Sequence, residues 1–204
     1  MDKKNNRVLL LCQLFYPELI STGQTLTCLS EELVNQGLSV DVLCGQSTQV
    51  DRISVFPKFI NYKGINIRRV YSTRLNRHNL LFRMINQMTY SLSLIYFLIN
   101  DKKQKIILVF TNPSFAAFLV ALLRKFKGSP YIFTINDVHP DAAYKMGIIK
   151  ETSIFVKAWD YLNKFAFNYS SAVVVLGRCM KKIMKSERKL GGLINSLHII
   201  EPCL

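Results

Sequence analysis

The stretch that decides the fold is Pro130-Tyr131-Ile132-Phe133-Thr134-Ile135, followed at once by Asn136-Asp137-Val138-His139-Pro140-Asp141. The first part is a short run of β-branched and aromatic residues without a polar alternation, which reads as a strand buried on both faces. The second is a cluster of polar and ionisable groups where that strand ends. Open α/β sheets place their chemistry at the carboxyl ends of their strands. Working outward, apolar strands alternate with helical patterns along the whole chain. The strands read as Val8–Leu14, Ser39–Cys44, Ile65–Tyr71, Lys105–Thr111, Tyr131–Ile135, Ala172–Leu176 and Leu197–Ile200. The helices read as Thr22–Gln36, Phe82–Asn100, Ser114–Phe126, Ile154–Asn168 and Cys179–Glu187, with Gly37 stopping the first. Asp51–Lys63 is the most irregular stretch and reads as a loop. This alternation predicts an α/β fold: a Rossmann-like parallel sheet with helices on both faces.

Composition narrows the class. The 204 residues are enough for one domain with a core, half of them apolar and 20% charged, which excludes a disordered chain. Lysine and arginine number 27 against 13 acidic residues, a formal net charge of +14. Such an excess favours an anionic partner, whether an acidic membrane face or a phosphorylated substrate. Charge alone would also admit nucleic acid, but no recognition motif or aromatic platform accompanies it, so nucleic acid is not expected. The five cysteines are scattered with no C-x-x-C pair, so no metal site is expected; Cys12 and Cys44 sit in apolar runs as core thiols suited to a reducing cytosol. The apolar run after Lys3, Lys4 and Arg7 is short and leads into Tyr16-Pro17-Glu18, which suits a first strand better than a secretion signal. Phe82–Ile99 approaches the roughly twenty residues that span a bilayer. It carries Arg83, Asn86, Gln87, Thr89 and Ser91, so a helix packed on the sheet or docked on a membrane surface is expected, not a span.

Four places carry candidate chemistry. Phe15 to Gln24 joins the first strand to the first helix; Gly23 allows close ligand approach, and the helix start offers free N–H groups beside Thr22. The alternative is an ordinary turn capped by Ser21 or Thr22. Thr111-Asn112-Pro113-Ser114 repeats that geometry, with a binding and a structural reading both open for Asn112. In the third cluster Asp137 is suited to orient or deprotonate a hydroxyl and His139 to shuttle a proton, against the alternative of a helix cap and a surface histidine. Gly177-Arg178 follows the strand ending at Leu176, where an arginine is placed to meet a phosphate.

Taken in order, Tyr16-Pro17-Glu18 with Thr22-Gly23, Leu33 to Gly37 before Val40-Asp41-Val42-Leu43, Thr111-Asn112-Pro113, Asn136-Asp137 with Pro140-Asp141 and Met146-Gly147, and Val173 to Gly177 resemble the N-terminal, acceptor-side domain of family-4 glycosyltransferases of the GT-B fold. The group they look most like is that of bacterial colanic-acid and O-antigen enzymes. Leu38-Ser39 replaces that family's usual His-Glu, and Asn136 stands where many members carry histidine. The resemblance implies a retaining sugar transfer from a nucleotide-sugar to a lipid-linked saccharide at the cytoplasmic membrane face, in surface polysaccharide synthesis. It implies no cofactor beyond the nucleotide-sugar substrate. It places Asp137 at the reacting sugars, Gly23 near the donor phosphates and Thr22 along the cleft. From their places at the strand ends, Asn112, Asn136 and Arg178 are expected as further substrate contacts. Residues 1–204 would form one such domain, with the donor-binding domain absent and Ile199 to Leu204 resembling the start of the interdomain linker. The chain would then be nearly inactive alone, being either cut from a longer polypeptide or paired with a separate donor-binding chain. The competing expectation is a non-catalytic truncated module that binds the membrane surface or a lipid-linked saccharide.

Overall fold

In the computed structural model the described residues are 6–18, 21–46, 56–76, 80–101, 106–111, 115–135, 154–186 and 197–200. They form a mixed α/β fold with a mainly parallel sheet flanked by helices. The chain divides into two compact units, residues 1–108 and 109–204.

The first unit contains β1 (Arg7–Leu11), α1 (Ser21–Asn35), β2 (Ser39–Cys44), β3 (Phe59–Tyr62), β4 (Ile65–Arg69) and α2 (Leu80–Asn100). Its strands lie in the order β3-β4-β2-β1. β1 pairs parallel with β2, Leu9 opposite Asp41, and β2 pairs parallel with β4, Asp41 opposite Asn66. The core is the apolar content of these strands: Leu9, Leu10, Leu11, Val40, Leu43, Ile65 and Ile67 are all buried. α1 ends as its sequence suggests. Gly37 takes φ +83°, its N–H bonds the Val34 carbonyl, and the Leu38 N–H reaches back to Leu33. That is the pair of bonds by which a left-handed glycine closes a helix.

Two expectations are corrected here. Residues 59–62, read as loop, form an edge strand antiparallel to β4. The purely parallel sheet therefore gains one antiparallel edge. The turn between them has only two residues, Lys63 and Gly64, with φ +48° and +82°. Both values are positive, as a tight hairpin with the right strand twist requires. The first strand also stops at Leu11 rather than Leu14; Cys12 to Phe15 are buried but run on as a loop.

Gly64 is doubly constrained, because a Cβ there would also sit 3.1 Å from Val34 Cγ1 of α1. Gly64→Ala is expected to cost about 1–2 kcal/mol from the left-handed backbone alone. Denaturant unfolding measures this, and a loss under about 0.5 kcal/mol would mean that the hairpin relaxes into another turn.

The second unit, whose boundary falls inside β5 (Ile106–Phe110), contains α3 (Ala116–Lys127), β6 (Tyr131–Ile135), α4 (Ile154–Tyr169), β7 (Ala172–Leu176), α5 (Gly177–Ser186) and β8 (Leu197–Ile200). β6, β7 and β8 pair parallel, with Phe133 opposite Val173 and Val173 opposite Leu197. The Thr111 N–H bonds the Thr134 carbonyl at 3.2 Å, so the end of β5 lies beside β6. α3 and α4 meet through Phe118 and Phe165, ring centroids 5.4 Å apart, and α4 packs on the sheet through Phe167 and Phe133. Tyr131 is fully buried and its hydroxyl bonds the Ala166 carbonyl of α4; burial raises its pKa well above the ordinary phenol value, so it remains a donor.

Candidate functional site

The carboxyl ends of β1, β2 and β4 bring three loops together in the first unit. The strand β1 ends at Leu11, and the chain stays pinned to its neighbour through the Cys12 N–H on the Leu43 carbonyl, 3.3 Å, and the Gly45 N–H on the Gln13 carbonyl, 3.0 Å. The Val70 N–H bonds the Cys44 carbonyl at 2.8 Å, drawing in the exit of β4. Tyr90 of α2 is buried and donates its hydroxyl to the Leu43 carbonyl at 2.8 Å. The first two bonds give partners to the Cys12 N–H and the Gln13 carbonyl of this buried non-strand segment.

A buried arginine braces this edge. Arg69 closes β4 on the same face as Ile65 and Ile67, and only 6% of it is exposed. Its guanidinium donates to Cys44 Sγ at 3.1 Å and to the Tyr16 carbonyl at 2.6 Å, and it lies over the Phe56 ring at 5.1 Å. Its Nε is buried with no hydrogen-bond partner among the described residues, as is Ser72 Oγ. The Glu18 side chain is buried too, and its charge and that of Arg69 both act on Cys44. A charged group taken out of water is costly unless other groups meet it. Such an assembly therefore fixes the loop from Cys12 to Glu18 in one position.

That loop in turn sets the start of α1. Gly23 is buried in the first turn, and a Cβ there would meet the Glu18 carbonyl oxygen at 3.0 Å. The obstacle is backbone, which cannot swing aside as a long side chain would. Ser21 and Thr22 are helical residues of that first turn rather than residues ahead of the helix. Thr22 is half-buried, and the first-turn N–H groups have no acceptors within the helix. The edge can thus present backbone donors and a hydroxyl to an anionic or hydroxyl-rich ligand.

Burial dictates the thiol chemistry. Cys12 is pushed well above the ordinary thiol value by desolvation, with Cys44 adding to the shift. Burial pushes Cys44 up to about 11, with the Arg69 charge opposing. Both remain protonated at neutral pH and are poor nucleophiles. Iodoacetamide is therefore expected to label exposed Cys28 and Cys179 in the folded chain and to reach Cys12 and Cys44 only after unfolding, as peptide mass spectrometry would show. The Cys44 shift also weakens the fold in alkali. Unfolded, the thiol ionises from 9.0; folded, it holds its proton to about 11. The contribution is complete below the unfolded value and is lost as the pH rises through the folded one, by roughly 3 kcal/mol in all.

Of the residues singled out by sequence, Thr22 and Gly23 fall together at this edge. Arg178 lies in the second unit, exposed in the first turn of α5, which begins directly at Gly177 with no intervening loop. Asn112, Asn136, Asp137 and His139 lie outside the described residues. Arg69, Gln13 and Ser72 were missed. Arg69 had a signal: the alternation in Ile65-Asn66-Ile67-Arg68-Arg69 puts it on the buried face. Among the described residues no group of three His, Cys, Asp or Glu could hold a metal ion.

A second feature of the first unit is a cleft of about 1220 Å³ over the sheet, between α2 and the β3–β4 hairpin. A polar ladder crosses its floor. Arg7 Nε bonds Asp41 at 2.8 Å, Asn66 bonds Asp41 at 3.1 Å, and Asn61 bonds Asn66 at 3.0 Å. Above this ladder Arg68 is held between two rings, 4.7 Å from the Phe59 centroid and 4.9 Å from that of Phe97.

With this geometry in place, the fold is similar to those of solved GT-B glycosyltransferase structures. Sucrose-phosphate synthase from Thermosynechococcus elongatus superposes with a TM-score of 0.58 at 11% identity, over 97% of this chain and 89% of that one. The catalytic domain of starch synthase IV from Arabidopsis thaliana, bound to ADP and acarbose, gives 0.63 at 12% identity, over 96% of this chain and 51% of that one. In sequence there is weak similarity to the probable glycosyltransferase WbjE of Pseudomonas aeruginosa, 28% identical over 86 residues. That stretch is 42% of this chain and 22% of the relative's length. No protein-family model matches the chain.

Proposed function

We propose that this chain is the acceptor-side half of a retaining glycosyltransferase, moving a sugar from a nucleotide-sugar to a lipid-linked saccharide in surface polysaccharide synthesis. The observation that carries the reading is the likeness to GT-B structures over 97% and 96% of the chain, joined to the sequence similarity with a probable glycosyltransferase. On this reading residues 1–204 act as one acceptor-side domain of the family-4, colanic-acid and O-antigen type. A donor-binding half completes it, either on the same polypeptide or on a separate chain. The braced loop from Cys12 to Glu18, with Thr22 and Gly23, is one wall of a catalytic cleft shared with the donor-binding half and separate from the one beside α2, Gly23 near the donor phosphates and Thr22 along the acceptor path. Asp137 contacts the reacting sugars and His139 assists with protons; Asn112, Asn136 and Arg178 hold substrate. The work takes place in the cytoplasm, peripherally at the inner face of the cell membrane. No helix among the described residues is long and apolar enough to cross a membrane.

The isolated 204-residue chain is then a poor catalyst, because closure of two domains creates the water-excluded site that such transfers use. The test supplies radiolabelled nucleotide-sugars and a lipid extract of native membranes to the assembled two-half enzyme and to this chain alone. Label in the organic phase with the former only supports the reading. No incorporation by the assembled enzyme with any nucleotide-sugar, or ordinary enzyme rates from this chain alone, contradicts it. The non-catalytic module accounts less well for the likeness to sugar-transferring enzymes.

A further inference from the structure

α2 has two apolar faces, and only one of them is used by the fold. Tyr90, Leu94 and Leu98 are buried against the sheet. On the opposite side Leu81, Ile85, Met88, Leu92, Tyr96 and Ile99 are all exposed, Leu92 at 65% and Tyr96 at 75%. At 3.6 residues per turn these six fall within an arc of about 80° and run for roughly 27 Å along the helix. An ordinary surface helix turns a polar face outward. A stripe of this length left in water costs solubility and marks an interaction surface. The helix carries no acidic residue from Leu80 to Asn100.

The cleft described above adjoins this stripe along Leu92 and Tyr96, which line both. Tyr71, 72% exposed, lines the cleft as well. Arg68 points its guanidinium between Phe59 and Phe97, and that guanidinium makes no hydrogen bond or ion pair among the described residues. An arginine stacked between rings keeps its planar donors in a fixed orientation, which suits a phosphate. Apolar stripe, interfacial tyrosines and an uncommitted arginine occur side by side, and the chain as a whole carries +14. A second copy of the same basic chain would be repelled by that charge, whereas an anionic bilayer is attracted by it.

We infer that the outer face of α2, with Arg68 beside it, is the surface by which the chain lies on an anionic phospholipid bilayer. The stripe enters the boundary between headgroups and acyl chains, as interfacial helices do. Tyr71 and Tyr96 sit at headgroup level, where amphipathic rings are favoured. Arg68 contacts lipid phosphate from the cleft. This rests on the proposed placement at the membrane and names the surface responsible for it.

The test is co-sedimentation of the full chain with phosphatidylcholine vesicles, with and without phosphatidylglycerol. Binding is expected with the anionic vesicles and is expected to weaken as salt is raised. Leu92→Ser combined with Tyr96→Ser removes two exposed apolar side chains and is expected to lower the partition coefficient at least about tenfold. Arg68→Ala is expected to lower it roughly fivefold on anionic vesicles and hardly at all on neutral ones. A separate readout keeps the fold intact: Leu92→Trp should be quenched by brominated lipid, over the background of Trp159. Stripe variants that sediment like the parent, with Trp at position 92 unquenched, overturn the assignment of this face while leaving the membrane placement standing. A parent chain that binds neither vesicle overturns both, and the transferase reading is then judged separately with a soluble saccharide acceptor. Stripe-dependent dimerisation without vesicle binding assigns the face to a second copy and overturns the inference.

Discussion

Arg69→Ala is expected to cost the fold about 3 kcal/mol or more. The wild-type guanidinium holds Cys44 and the Tyr16 carbonyl at 3.1 and 2.6 Å. Alanine deletes both bonds and leaves the Tyr16 carbonyl and Cys44 Sγ beside an empty volume where a positive charge had been. Lysine is not a substitute, because one ammonium on a flexible stem cannot reproduce a planar fork that meets two acceptors from fixed positions. Arg69→Lys should recover less than half of the loss. Arg69→Met separates packing from charge by filling the volume with a neutral side chain. If methionine restores stability but weakens substrate binding, the charge serves the ligand; if it does neither, the charge serves the loop. Denaturant titration of the three variants decides, and an Arg69→Ala chain within about 0.5 kcal/mol of the parent would remove the brace from the account.

The second large effect concerns turnover. On the proposed function, Asp137→Ala in the assembled enzyme is expected to lower kcat by about a hundredfold to ten-thousandfold, the range typical for a positioned proton-transfer group. The carboxylate follows β6, whose residues Tyr131, Phe133 and Ile135 are buried. On the proposed function, this strand leads in sequence to the reacting groups. The loss should fall on turnover and leave vesicle binding unchanged, since α2 and Arg68 belong to another part of the chain. His139→Gln should cost less than Asp137→Ala and should alter the pH profile of kcat, because an imidazole that moves protons titrates near neutrality. Equal turnover in the parent and the Asp137→Ala enzyme would return this residue to the role of a helix cap.

How far the sequence discloses these features follows from what each depends on. The alternation of apolar strands with amphipathic helices is a local periodicity, and it disclosed the core strands from Ser39–Cys44 onward with small errors at their ends. The strand at 59–62 was hidden because Asp51 to Lys63 shows no clean alternation; Lys63-Gly64 was the available signal for a hairpin. The burial of Cys12 to Phe15 suggested a longer first strand, since apolarity reports removal from water and not the backbone geometry that achieves it. Arg69 was legible only through the period of two, which puts a charge on the buried face. That α2 exposes one of its two apolar faces was not legible, because apolar content fixes no direction until the rest of the fold takes one side. Thr22 and Gly23 were found from the turn they occupy, whereas the role of Glu18 against Gly23 depends on a contact that sequence does not display.

The central claim is that this chain is one half of a working glycosyltransferase. It is tested most directly by affinity purification of the tagged chain from its native cell at natural expression level, with mass spectrometry of everything recovered. The expected result is a Rossmann-like donor-binding segment, either as a second chain or within a longer polypeptide that contains this one. Recovery of the 23.5 kDa chain alone, with no donor-binding segment in reach, would contradict the claim.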